Sequence, residues 1–290
     1  MRDFAIVTDS CCDLTAALAE ELSLTVLPLS FHIGDQDCRN WLDGRDMDFH
    51  QFYEKIRRGT PATTSAVSVG DFQEAMRKLL ENGKDVLCIS FSSALSTTYQ
   101  SACIAVEDLR SEFPEAKLFV VDSLSASLGQ GLLVYLCVRE QRQGKTIEEV
   151  RDFAEETKMH LCHWFTVDDL NHLKRGGRIS AATALFGTML SVKPVMHMDD
   201  GGRLVPVSKA RGRKASLTAL VDRMETLAVD PARQTVFISH GDCLEDAQFV
   251  AGEVRRRFGT EDIRINYVGP VIGNHSGPGT VALFFLGTER

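Results

Sequence analysis

Short apolar runs that end in polar clusters alternate with helical patterns through the first half of the chain, and this alternation restricts the fold more than any other feature. FAIVTD (4 to 9), DVLCIS (85 to 90) and KLFVVDS (117 to 123) read as buried strands. TAALAEEL (15 to 22), MDFHQFYEKIRRG (47 to 59), residues 69 to 80, TTYQSACIAVEDLRSEF (97 to 113) and the stretches 126 to 142 and 146 to 158 carry helical spacing. LTVLPLSFHIG (24 to 34) reads as one further strand and TPATTSAVS (60 to 68) as a loop. Strands alternating with helices of this length build parallel β-α-β units, whose ligands sit beyond the carboxyl ends of the strands. TDSCCD, SFSSALS and VDSLSAS all fall at that edge.

Beyond residue 158 the pattern changes. LCHWFTV, SVKPVMHM, RLVPVSK, QTVFISH and DIRINYVG are strand candidates, and DDGGR between two of them is a hairpin signal. At 290 residues the chain is long enough for two cores. The expected architecture is therefore α/β in two domains, residues 1–158 with a mainly parallel sheet and residues 159–290 with a mixed one.

Several function classes lose support at once. A net charge of −8 opposes a phosphate backbone, so nucleic acid is not an expected partner. No apolar stretch reaches the ~20 residues of a membrane span, and no integral membrane association is expected. The eight cysteines show no C-x-x-C pair, which fits a reducing cytoplasmic setting. His160, Cys162 and His163 form an H-x-C-H cluster, but on a strand His163 points away from the other two. No metal and no cofactor is expected. SLGQGLLVY has Gly129 and Gly131 but Val134 where a dinucleotide fingerprint needs its third glycine. SASLG lacks the first glycine of a hydrolase elbow, and no phosphate-loop motif occurs.

What remains is hydroxyls, cations and one histidine. Loops 63 to 68, 90 to 96 and 122 to 127 bring Thr64, Ser65, Ser93, Ser96, Ser123 and Ser125 to one sheet edge, where they could bind an anion with neutral donors. Most such hydroxyls cap helices, and Ser96 is a candidate N-cap. LKRGGRIS (173 to 180) crowds Lys174, Arg175 and Arg178 about a glycine pair, and SKARGRKAS (208 to 216) opens a helix with four cations. Either is a solvated basic face or a docking surface. IGNHSGPGT (272 to 280) sets His275 among glycines with no acid or cysteine nearby. Gly273 and its neighbours would let backbone and ligand come close.

FAIVTDSCCDL, TSAVS, ISFSSALSTTYQSA, FVVDSLSASLGQG, FTVDDLNHLKRGGRIS, KPVMHMDDGGRL, KARGRKA, SHGD and IGNHSGPG, in this order from residue 4 to about 286, resemble the DegV family. The resemblance implies a two-domain protein that holds one long-chain fatty acid between its domains and presents it to a fatty acid kinase, which makes the acyl phosphate. By the same resemblance Thr64, Ser93 and His275 contact the carboxylate, Ser65, Ser96 and Gly273 complete the ligand set, and Arg175 lies near the headgroup or works with the kinase. Ala66 and Val67 stand where the family has Gln-Pro, Thr97 replaces a glycine, and Cys38 stands where tyrosine is common.

Burying the methylenes of a ~16-carbon acid would contribute on the order of 10 kcal/mol before association costs, at about 0.8 kcal/mol each. The tail would thus supply affinity and the head its register, held by hydroxyls and an imidazole without a tight ion pair. AATALFGTML (181 to 190) is apolar enough to line such a tail pocket. Two other readings compete: an ester hydrolase using Ser93 or Ser10 with His275, and a regulatory module acting through the basic segments. The hydrolase needs an acid to orient the histidine, and spacing identifies none.

Overall fold

The computed structural model describes residues 2–179 and 192–290. AATALFGTML lies outside these residues. A parallel sheet of order β2-β1-β6-β7 forms from β1 (Phe4–Asp9), β2 (Thr25–Leu27), β6 (Asp85–Ser90) and β7 (Leu118–Asp122). Every residue of β1 and β6 is buried, as strands covered on both faces require. The chain leaves β1 for β2 on one side and returns to β6 on the other. Loops after adjacent strands therefore part at this switch point and open a crevice.

The single strand expected over 24 to 34 is two. Pro28 interrupts it, and β3 (Ser30–Ile33) turns away to pair with β4 (Gln36–Arg39) and β5 (Ala62–Ser65) in a separate antiparallel sheet. The segment expected to be a loop thus contains β5, with Thr64 opposite Phe31. Pairing with a distant strand fixes that segment, and no local periodicity signals it. Helices α1 (Ala16–Glu21), α2 (Phe49–Arg57), α3 (Val69–Glu81) and α4 (Thr98–Glu112) begin and end within about two residues of their expected bounds.

Helix α5 (Leu128–Arg142) contains Leu132, Leu133 and Val134 in succession, all fully buried. A helix apolar on every side needs cover on every side. It has the parallel sheet on one flank and the second sheet on the other, so one core runs through both halves of the molecule. The G-x-G of its first turn makes this possible. A Cβ on Gly129 would lie 2.1 Å from His163 Nε2, and one on Gly131 would lie 2.5 Å from the Cys12 carbonyl. The tripeptide that resembles part of a nucleotide fingerprint is a packing device.

After α6 (Ile147–Thr157), the mixed sheet runs β10-β9-β8-β13-β11-β12: β8 (Leu161–Thr166), β9 (Val192–Met198), β10 (Leu204–Arg211), β11 (Val236–His240), β12 (Ile263–Tyr267) and β13 (Val281–Leu286). Only β11 and β12 pair in parallel. DDGGR closes the β9–β10 hairpin, with Gly202 at φ 71°. Short helix α7 (Leu170–Arg175) precedes β9, and α8 (Arg213–Leu227) with α9 (Leu244–Phe258) cover the far face. IGNHS is helical, within α10 (Pro270–Ser276): Pro270 stands at its first turn and Gly277, at φ 81°, ends it. No helix of the described residues is long and apolar enough to cross a membrane.

Candidate ligand-binding site

A cavity of about 420 Å³ lies between the two sheets' loop ends. Leu29, Phe91, Leu95 and Ala126 line it from the first half, and Phe165, Met198, Leu204, Ile272, Ala282 and Phe284 from the second. Its size is within the usual range for small-molecule sites.

Strand-end carboxylates shape its polar wall without entering it. Asp9, at the end of β1, accepts from Phe91 N at 2.8 Å, Cys11 N at 3.1 Å and Ser90 Oγ at 3.2 Å. Asp122, at the end of β7, accepts from Ser93 N and Leu124 N, both at 3.1 Å. These bonds hold the β6 and β7 loops against the cavity. Asp9 is buried deeply enough that burial pushes its carboxyl up to about 6.

Thr64, Ser65, Ser93, Ser96 and His275 all line the cavity. Thr64 Oγ1 and His275 Nε2 are 2.9 Å apart, which joins β5 to α10 across the two halves. Burial, with a smaller contribution from the Arg178 charge, pulls the His275 imidazole down to about 4 and leaves it neutral at pH 7. Its Nδ1 is buried without a hydrogen-bond partner. The ring sits on Gly176, where a Cβ would come within 2.1 Å of Nδ1. Ser96 accepts from Thr98 N at 3.2 Å, so it serves the first turn of α4 as well.

Gly273 and Arg175 are placed elsewhere. Gly273 does not line the cavity: a Cβ there would lie 2.5 Å from the Tyr53 hydroxyl, so its bareness seats α10 on α2. Arg175 is exposed, with Nη2 2.9 Å from His172 Nδ1, and lines a second chamber of about 640 Å³. Thr64, Arg178 and His275 line both spaces and form the wall between them. Thr63, His172 and Asn274 face the second chamber with Arg175.

Arg178 is the charged residue of the first cavity; no carboxylate lines it among the described residues. Its Nε donates to the Leu95 carbonyl at 3.2 Å and Nη1 to the Gly176 carbonyl at 2.5 Å. Beside the hydroxyls and the imidazole, a guanidinium thus stands in the wall. The signal was in RGGR, where Gly177 at φ 70° turns the chain between the two arginines, so that Arg178 reaches the first cavity and Arg175 does not. His163 is the other residue missed. Alternation along β8 puts Cys162 in the core beneath α8 and α9, while His163 and Phe165 line the cavity.

Among the described residues no carboxylate partners His275, whose Nε2 meets Thr64 and whose Nδ1 has no partner, so no hydrolytic triad is assembled there. Ser10 Oγ accepts from Leu29 N at 3.0 Å and Asn40 Nδ2 at 3.2 Å, a structural use in the core. Ser123 and Ser125 bond within their own turn. The basic helix start is also partly turned inward: Arg213 pairs with Asp246 at 2.8 Å and Asp168 at 3.6 Å, and Lys214 lies 5.4 Å over the Phe249 ring.

Fold and site thus define a two-domain α/β protein with a mostly apolar interdomain cavity and an imidazole, hydroxyl and guanidinium wall. Residues 3–288 match the model of "Uncharacterised protein, DegV family", and the chain belongs to that family. A DegV domain-containing protein of Clostridium perfringens is 44% identical over 100% of this chain and 99% of its own length. A fatty-acid-binding DegV family protein of Thermus thermophilus is similar in structure, with TM-score 0.86 and 30% identity over 98% of this chain and 99% of that one. The Bacillus subtilis fatty acid binding protein DegV has TM-score 0.84 and 28% identity over 98% and 99%.

Proposed function

We propose that this protein binds one long-chain fatty acid in the interdomain cavity and, without catalysing a reaction itself, presents the carboxylate to a partner fatty acid kinase in the cytoplasm. The domains are taken as residues 1–158 and 159–290, with the acid between them. One observation carries the reading: the apolar cavity has its cation and its hydroxyl–imidazole pair in the wall that it shares with a second chamber. A carboxylate drawn from water costs several kcal/mol, and charge-assisted bonds at ~1.5–3 kcal/mol each offset it. In our assignment His275 carries its proton on Nε2 and donates to Thr64 Oγ1, which frees the Thr64 hydroxyl to donate to the carboxylate. Ser93, Ser65, Ser96 and Arg178 supply further donors. Gly273 supports α10 and makes no ligand contact.

The second chamber, with Arg175, His172 and Asn274, would admit the phosphoryl donor to a head held at the shared wall. This supports presentation to a kinase, as the motif resemblance implies. Native mass spectrometry of protein purified from cells is expected to show one bound acid per chain, lost on delipidation and restored by added acid. Binding of no acid under any of these conditions would overturn the proposal. The kinase step has its own test: added kinase and ATP should convert bound acid to acyl phosphate, and Arg175→Ala should slow that conversion while leaving retention intact.

A further inference from the structure

Resting on the lipid-carrier reading, we propose that His163 is the end stop of the tail cavity and sets the longest acyl chain this protein accepts. The ring lines the lipid cavity on the β8–β13 pair, beside Phe165 and Phe284, whereas Thr64, His275 and Arg178 come from β5, α10 and the Gly176–Gly177 turn; this puts it among the chain's apolar surroundings and not in the polar wall. Behind it there is no room. The residue is 3% exposed, and its Nε2 lies so near α5 that a Cβ on Gly129 would come within 2.1 Å of it and 2.8 Å of Phe284. Phe284 closes the side, edge-on to the imidazole with centroids 5.2 Å apart.

The ring's bonding supports a space-filling role. Nδ1 lies 2.9 Å from the Leu161 carbonyl and so donates, while Nε2 is buried without a partner. A carbonyl two residues away fixes the ring's orientation, and no second bond explains why an imidazole occupies this place. What the ring does is fill the notch between α5 and the β8–β13 pair. A chain's methyl terminus meeting it has no further space to enter, whereas an alanine would leave the notch open to the cavity.

The test is a ladder of saturated acids of increasing length, bound to delipidated protein. Each methylene that leaves water adds about fourfold in affinity, so the wild-type ladder should climb and then stop. In His163→Ala the climb should continue for roughly two more carbons at about fourfold each, the notch being of side-chain size. An unchanged stopping length in His163→Ala overturns the proposal, as does a stop that Met198→Ala moves instead. Should His163→Ala fail to fold, wild-type crystals grown with an ω-bromo acid of the stopping length decide: bromine in van der Waals contact with the imidazole supports the end stop, and bromine elsewhere overturns it. If no acid of any length binds, the carrier reading falls first, a result distinct from a ladder with an unmoved end.

Discussion

The Thr64–His275 pair shows how one hydrogen bond can depend on what is missing beside it. His275 Nε2 reaches Thr64 only because Gly176 leaves its ring a seat. Gly176→Ala is therefore expected to displace the imidazole and weaken fatty-acid binding about as much as His275→Ala. Each loss should be roughly tenfold or more, since either change removes the bond that aims the Thr64 hydroxyl at the carboxylate, and a bond to a charged acceptor contributes ~1.5–3 kcal/mol. Competition with a fluorescent fatty acid measures both; binding unchanged in both variants would remove His275 from the head site. At this scale the motifs named Thr64, Ser93 and His275 as candidates. They did not separate Arg175 from Arg178, because the direction each guanidinium takes depends on what packs around the Gly176–Gly177 turn.

Among the elements, α5 carries the strongest stability prediction. Gly129→Ala would push a methyl into His163 and Phe284, and overpacking of this kind costs roughly 1–3 kcal/mol. Gly252, in α9, has nothing within 4 Å of its would-be Cβ. There the same substitution should stabilise by roughly 0.5–1 kcal/mol through helix propensity alone. Urea unfolding of the two variants should thus shift in opposite directions. Helices α1, α2, α3 and α6 were legible locally because a side chain caps each: Thr15, Asp48 and Ser68 cap the first three, and Thr146 and Glu149 form a capping box at the start of α6. Strand β5 was not, since ATTS has no apolar alternation and is a strand only by pairing with β3. Likewise α10 hides behind its glycines, and packing on α2 makes it helical.

For the whole molecule, burial of titratable groups predicts acid sensitivity. Burial is the leading cause that holds His163, His172, His197, His240 and His275 below 6.5, His240 and His275 at about 4. The folded state binds fewer protons at these sites than the unfolded chain, so their contribution is complete above about pH 6.5 and is lost as pH falls toward 4. Asp9 and Asp13, which burial raises to about 6 and about 8, act in the opposite sense and lose stability as pH rises. His32 and His50, which Asp37 and Asp242 hold above 6.5, also act in that opposite sense but are exposed and screened; the five buried imidazoles outweigh them and the two carboxyls, so Tm of the delipidated protein should fall as pH is lowered from 7 to 5, and His240→Phe should reduce that fall. A flat Tm over this range would mean these histidines are hydrated. Periodicity and composition were sufficient to determine the α/β alternation, the change of sheet type after residue 158 and the polar strand ends, because each rests on neighbours within a turn or a pleat. The three-stranded sheet, the wall shared by two cavities, the inward turn of Arg178 and the closed end at His163 were decided only in three dimensions. They arise where α5 is pressed between two sheets and segments more than a hundred residues apart exclude water from one another.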